Sequence, residues 1–315
     1  MMSAAQAPHQ PVLYQESLDA LQPRDGGLYV DGTLGAGGHA AGILAASAPT
    51  GRLLGLDVDP QALAIATERL AEFGERATLV RASYSQMAQQ LAAIGWDAVD
   101  GILFDLGASS MQFDTAERGF AFSQDGPLDM RMDPDLQRSA ADLVNELPEK
   151  DLADMIYEFG EEARARMIAR RIVQERPIHT TAELAGVVAR ALRARRGGIH
   201  PATRTFQALR IAVNDELDNL QAVLPQAVAA LKAGGRLAVI AFHSLEDRLV
   251  KQYFRQESRD CICPPEQLVC TCEHQASIKE VTRKPIRPSS AEEEQNPRAR
   301  SARLRVAEKL SSTER

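Results

Sequence analysis

The stretch Leu28-Tyr29-Val30-Asp31-Gly32-Thr33-Leu34-Gly35-Ala36-Gly37-Gly38-His39 narrows the possible folds more than any other part of the chain. An apolar strand, Leu28 to Val30, runs into a loop with three glycines in four residues, and an alanine-rich helix opens near His39. Glycine is needed where the backbone takes positive φ or must lie close against another group. A strand, a glycine turn and a helix start in this order form the crevice of a doubly wound α/β domain. The amides of that helix start have no intrahelical partners and sit at the positive end of the dipole. They suit an anionic or electron-rich ligand, and a tight βα turn without a ligand is the plain alternative.

The pattern repeats downstream. Arg52 to Asp57 reads as a buried strand ending in an acid, and Asp57 lies twenty-two residues past Gly35. That is close to the spacing at which a carboxylate receives ribose hydroxyls. Asp59 caps the next helix and Pro60 takes its first position, where a missing amide costs nothing. This helix is expected to run to about Phe73. Ala77 to Ala82 is a third strand with Tyr84 just beyond it, Gln86 to Ile94 a helix, and Ala98 to Asp105 a fourth strand that again ends in an acid. Four βα units in succession predict a parallel sheet with right-handed crossovers.

From Gln112 to about Thr205 no strand-like run occurs. Asp142–Leu147, Asp151–Ile172 and Thr181–Ala194 carry apolar residues at helical spacing. The expected organisation is a sheet domain, residues 1–111 and 206–315, interrupted by a helical domain, residues 112–205. Phe206 to Leu231 reads as one long helix, ended by Gly234-Gly235 before a strand from Arg236 to Phe242. Edge strands are expected near Ile278 to Thr282 and Arg303 to Glu308.

Glycine-loop dehydrogenases also satisfy the pattern formed by Gly35, Gly37 and Ala40. Three neighbours favour a methyltransferase: Asp31 at the end of the first strand, Asp57-Val-Asp-Pro60, and Asp105-Leu-Gly-Ala-Ser-Ser110. Asp31 can reach toward a cationic aminoacyl group, which a dinucleotide lacks. His243 and Ser244, followed by Glu246 and Asp247, hint at hydrolysis, but no Gly-x-Ser-x-Gly elbow accompanies them. A fold that clamps RNA without catalysis is a further reading, and the intact loop and strand-end acids weigh against it.

Further blocks are Glu117-Arg-Gly-Phe120, Asp125-Gly-Pro-Leu-Asp-Met-Arg-Met-Asp133, His200-Pro-Ala-Thr-Arg-Thr-Phe-Gln207, Phe242-His-Ser-Leu-Glu-Asp-Arg248 and Asn296-Pro-Arg-Ala-Arg-Ser301. Together with Asp31 to His39 and Asp105 to Ser110, they make the chain closely resemble the bacterial 16S ribosomal RNA (cytosine-N4)-methyltransferases, from His9 to about Glu308. The resemblance implies a Rossmann-like class I methyltransferase sheet with a helical insert. It also implies S-adenosylmethionine as donor and, as acceptor, the N4 amine of a cytidine in the decoding region of the small ribosomal subunit. By the same resemblance Gly37, Gly38 and His39 form the donor loop, Asp57 holds the ribose, Tyr84 lies against the adenine, and Asp105 and Gln112 complete the pocket. DNA N4-methylases often carry a Pro-Pro-aromatic run after the acid at the end of the fourth strand. Here Leu106-Gly-Ala-Ser-Ser110 stands there, so Asp105, Ser109 and backbone carbonyls are the candidates for orienting the amine.

Charge is uneven. The net charge is −7, yet Gly186 to Arg210 holds six arginines (Arg190, Arg193, Arg195, Arg196, Arg204, Arg210) and no acid. A second basic run carries Arg298, Arg300, Arg303 and Arg305. Two such stretches on an acidic chain suggest a local anionic partner. No apolar run reaches membrane-spanning length and the first residues lack a signal-peptide pattern, so a cytoplasmic enzyme is expected. No metal is assigned to the active site. Cys261-x-Cys263 and Cys270-x-Cys272 leave both a zinc site and reduced thiols open, because paired zinc ligands are more often two to four residues apart.

Overall fold

The computed structural model describes residues 11–192, 200–264, 266–267 and 269–311. The chain folds as two units: Met1–Gly107 with Asn219–Arg315, and Ala108–Asp218. The first begins with α1 (Tyr14–Leu21), β1 (Leu28–Asp31), α2 (Gly38–Ala46), β2 (Arg52–Asp57), α3 (Pro60–Leu70), β3 (Ala77–Arg81), α4 (Met87–Ala93) and β4 (Val99–Asp105). The second unit holds α5 (Ser110–Asp114), α6 (Ala140–Glu146), α7 (Glu149–Gly160), α8 (Ala165–Glu175), α9 (Thr181–Leu192) and α10 (Thr203–Asn214). The chain then continues through α11 (Glu216–Ala230), β5 (Leu231–Ala241), α12 (Ser244–Glu257), β6 (Ile278–Glu280), α13 (Ser290–Gln295) and β7 (Arg303–Lys309).

Seven strands form one Rossmann-like sheet in the order β3-β2-β1-β4-β5-β7-β6. Strands β1 to β5 pair in parallel, and β7 runs antiparallel to both β5 and β6. β2 and β4 read as nearly unbroken apolar runs because the central strands of a parallel sheet are covered on both faces. Strand order reverses between β1 and β4, and at that point a crevice opens beyond the carboxyl ends. Asp31 pairs in register with Gly55 and with Leu103, so Asp57 and Asp105 each stand two residues farther along their strands. Both acids therefore project at the crevice.

The helical unit has its own core, with Ile156, Ile168, Ile172, Leu184, Val188 and Leu209 fully buried. Two expected helices prove to be pairs. The run Asp151–Ile172 is divided by Glu161, which takes a left-handed conformation (φ 48°) between α7 and α8. The run Phe206–Leu231 is divided in the same way by Asp215 (φ 49°). On its two sides the apolar faces serve different cores. Phe206, Leu209 and Val213 pack into the helical unit, whereas Leu220, Val223 and Leu224 pack into the sheet unit. α10 thus belongs with the helices, and the helical unit extends to Asp218 instead of stopping at residue 205. β5 also begins five residues earlier than expected. Gly234 (φ 75°) accommodates a register shift, so Leu231 already pairs with Val99. Among the described residues no helix is long and apolar enough to cross a membrane.

Candidate active site

Three carboxylates meet at the ends of β1, β2 and β4. Asp31 is 1% exposed, and its Oδ1 accepts the amide of Thr33 at 3.2 Å. Asp57 accepts the amide of Gly35 on Oδ2 (2.7 Å) and that of Asp59 on Oδ1 (2.8 Å). The backbone amide of Asp105 donates to Thr33 Oγ1 at 2.6 Å, so one threonine ties the ends of β1 and β4 together. His39, buried in the first turn of α2, places Nε2 3.6 Å from Asp105 Oδ2. Neither ring nitrogen of His39 has a hydrogen-bond partner, and neither does the buried Oδ1 of Asp105.

Burial dominates the electrostatics. It pushes the Asp31 carboxyl up to about 7, although His39 and the Thr33 amide pull the other way; Asp105 and Asp57 add to the rise. Burial also raises Asp57, against the amides of Asp59 and Gly35 that stabilise its charge. A site that crowds acids in this way lowers its own energy by taking up positive charge. A dinucleotide would bring a diphosphate to the same place, so the carboxylate cluster counts against the dehydrogenase alternative.

The glycine loop is shaped first by the protein's own packing. Gly37 has φ 77°, and a Cβ there would lie 3.3 Å from the Ala66 side chain on α3. At Gly38 a Cβ would meet Pro11 at 2.4 Å. These glycines let the loop lie between α3 and the segment before α1, which leaves the amides at the start of α2 facing the crevice. Tyr84 follows β3, and its ring lies 5.7 Å from that of Phe104 on β4.

The pattern of the MraW methylase family matches residues 6–310. The chain belongs to the MraW methylase family. It is 52% identical over 306 residues to the ribosomal RNA small subunit methyltransferase H of Syntrophobacter fumaroxidans, covering 96% of each chain. Proteins of the same name from Syntrophus aciditrophicus (53% identical; 96% of this chain, 98% of the relative) and Symbiobacterium thermophilum (52%; 97% and 98%) are as similar.

The residues present suit the donor of such a methylase. S-adenosylmethionine carries a sulfonium and an ammonium, and the acid cluster offers both a stabilising field. The Asp57 oxygens, already oriented by two amides, retain lone pairs for a ribose diol. Thr33 and Tyr14, whose ring stacks on His39 at 6.0 Å, belong to the same constellation and escaped the sequence reading. Thr33 stands inside the quoted motif, but nothing in its spacing shows that its hydroxyl bridges two strands.

Ser109 and Gln112 lie in the helical unit of this MraW family chain, where they form a reciprocal cap on α5. Ser109 Oγ accepts the Gln112 amide (3.3 Å), and Gln112 Oε1 accepts the Ser109 amide (2.9 Å). Gln112 is buried, and this structural task occupies its amide oxygen. His243 has a similar task in the sheet unit. Its ring accepts the Glu246 amide at the start of α12, and Glu246 Oε2 accepts the amides of Phe242 and His243. The hydrolase motif is thus a helix cap.

The second basic stretch is partly spent within the fold. Arg303 and Arg305 alternate onto one face of β7, and both bind Asp247, at 3.0 and 2.6 Å. Arg305 is buried, so neither residue is a free contact for a polyanion. Arg193, Arg195 and Arg196 lie outside the described residues. Arg204 donates to the carbonyl of Glu161 at 2.9 Å, and its side chain is more than half exposed.

Proposed function

We propose that this methylase transfers the methyl group of S-adenosylmethionine to the exocyclic N4 amine of a cytidine in the decoding region of 16S ribosomal RNA. The observation that carries this reading is the likeness along nearly the whole chain, at more than half identity, to ribosomal RNA small subunit methyltransferases. Two features of the fold support it: the acid cluster at the crevice, and a helical unit with no strand among its described residues. The enzyme acts in the cytoplasm, where small subunits are assembled.

The bound donor supplies an electrophilic methyl group on a sulfonium. Asp57 holds the ribose hydroxyls, and Tyr84 provides a ring face for the adenine. Asp31, in its ionised form, pairs with the donor ammonium, while Gly37, Gly38 and His39 shape the loop beneath it. The cytosine amine is conjugated with its ring and is a poor nucleophile, so most of the rate must come from positioning and from accepting an N–H proton. Asp105 is the residue for this role. Its Oδ1 has no hydrogen-bond partner, and its side chain is a quarter exposed at the end of β4. Ser109 is engaged as the α5 cap. The base must be unstacked to reach the donor; Arg190 and Arg210 are paired with Glu175 and Glu216, so Arg193, Arg195, Arg196 and the exposed Arg204 are the residues of the acid-free stretch that steer the RNA backbone.

Incubating the protein with isotopically labelled donor and small subunits, either mature, partly assembled or stripped to naked RNA, tests the proposal. Mass spectrometry of nuclease digests should find labelled N4-methylcytidine in one fragment of the decoding region. Label on another base, or none in any form of the RNA, would overturn the assignment.

A further inference from the structure

Between α12 and β6 the chain makes an excursion, Ser258 to Ser277, that contains no helix or strand among its described residues. Its base is pinned. The Ser277 amide donates to the Glu257 carbonyl (2.8 Å), the Ser277 hydroxyl donates to Glu257 Oε2 (2.8 Å), and the Ala276 amide reaches Asp260 Oδ1 (3.3 Å). Among the described residues of the tip no apolar core holds it: Ile262 is 43% exposed and Val269 72%. A loop this long in a folded unit normally needs a compensating anchor.

The four cysteines of the chain all lie on this excursion, and their sulfur atoms all fall within 4.8 Å of one another. Cys270 and Cys272 are 3.6 Å apart, and Cys272 and Cys261 3.9 Å. Four thiolates at about 2.3 Å from a tetrahedral zinc ion have edges of about 3.8 Å, which these separations match. The one-residue spacing, unusual for zinc ligands, has a local explanation. Two Cys-x-Cys arms that face each other bring the four sulfurs to one centre. A second observation is independent of the distances. The Ile262 amide, between the first two cysteines, points at Cys272 Sγ (3.4 Å), and the Thr271 amide, between the last two, points at Cys263 Sγ (3.5 Å). Each arm thus directs a backbone N–H at a sulfur of the other, an arrangement that stabilises thiolate charge around a metal. His274 is not a fifth candidate, because its Nε2 lies 3.1 Å from the carbonyl of Gln256 at the base of the excursion.

We propose that Cys261, Cys263, Cys270 and Cys272 bind one structural zinc ion as a tetrathiolate, which anchors this excursion on the sheet unit. On binding, each thiol releases its proton to solvent, and no electron transfer takes place. Four protein ligands leave no open position, so the ion folds the loop and does not take part in methyl transfer.

The full-length protein, purified under reducing conditions without chelator, should carry one zinc per chain by elemental analysis. The Cys270→Ser/Cys272→Ser variant should carry almost none. Protein stripped of metal under reducing conditions and titrated with cobalt(II) should give the intense visible bands of a tetrahedral tetrathiolate, saturating at one equivalent. Limited proteolysis should cut the stripped protein between Asp260 and His274 at least tenfold faster than the zinc-loaded protein. Donor affinity should stay equal in the two forms, which separates this site from the methyl-transfer site. Zinc absent from reduced protein, four thiols still freely reactive in excess zinc, an octahedral cobalt spectrum, or stoichiometric iron in place of zinc would each overturn the proposal.

Discussion

Replacing Asp31 with asparagine should make the ligand-free protein more stable and the enzyme worse. The carboxyl is buried and rises from an ordinary value of 3.8 to about 7, with burial as the largest cause. A shift of about three units, at about 1.4 kcal/mol per unit, makes the ionised group cost about 4 kcal/mol. The folded protein binds this proton more tightly than the unfolded chain. Stability from this group is therefore complete below the unfolded value near 4, falls as pH rises, and has been lost by about pH 7. An asparagine has nothing to ionise, so the Asp31→Asn variant should gain up to about 4 kcal/mol on the wild type near pH 8 and show little difference near pH 4. Urea unfolding of the ligand-free proteins at several pH values between these limits measures the gap. Donor binding should change in the opposite sense: wild-type affinity should increase as Asp31 ionises, and the affinity of the variant should stay low and flat. A stability gap independent of pH, or a variant less stable than the wild type near pH 8, would refute the burial argument. Equal donor affinity in both proteins at high pH would refute the pairing of Asp31 with a cation.

Gly37→Ala forces a side chain into a left-handed conformation at φ 77°, with a methyl group 3.3 Å from Ala66, and should cost about 1–2 kcal/mol in urea unfolding. An unchanged midpoint would mean that the loop rearranges freely. Asp57→Asn keeps one acceptor oxygen for the loop amides but gives up charge-assisted bonds to the ribose; calorimetry should show donor binding weaker by about 1.5–3 kcal/mol, and an unchanged affinity would remove the residue from the donor site. Asp105→Asn should leave stability near that of the wild type and slow single-turnover methyl transfer by about 10²-fold or more. A rate within twofold of the wild type would place proton acceptance elsewhere. Arg195→Glu with Arg196→Glu should weaken RNA binding and reduce its salt slope by roughly 0.7 for each lost phosphate contact, with donor affinity unchanged. A filter-binding slope equal to that of the wild type would make these arginines plain surface charges.

The alternation of strands and helices from Leu28 to Asp105 was legible because each signal is local. A buried parallel strand is a short apolar run, a cap is an acid before a proline, and a glycine loop is a cluster of residues without Cβ. β2 accordingly occupies the residues expected of it, and Asp59 caps α3 as read. The strand-end position of Asp31, Asp57 and Asp105 follows from the same order of elements, since a parallel sheet brings its carboxyl ends to one side. What the sequence could not supply was decided by contacts between distant residues. Glu161 and Asp215 look like ordinary helix residues, yet both take left-handed turns, and at Asp215 the flanking apolar faces pack into different cores. The burial that moves the Asp31 carboxyl, the strand-bridging hydroxyl of Thr33, and the pairing of Arg303 and Arg305 with Asp247 depend on what lies across the sheet. The cysteines show the division in one place. Their spacing, read along the chain, leaves a zinc site and reduced thiols both open, whereas folding brings two Cys-x-Cys arms face to face and gathers four sulfurs within 4.8 Å. Local sequence sets backbone preference and periodicity, and only the closed fold sets distance, burial and the field that each charge feels.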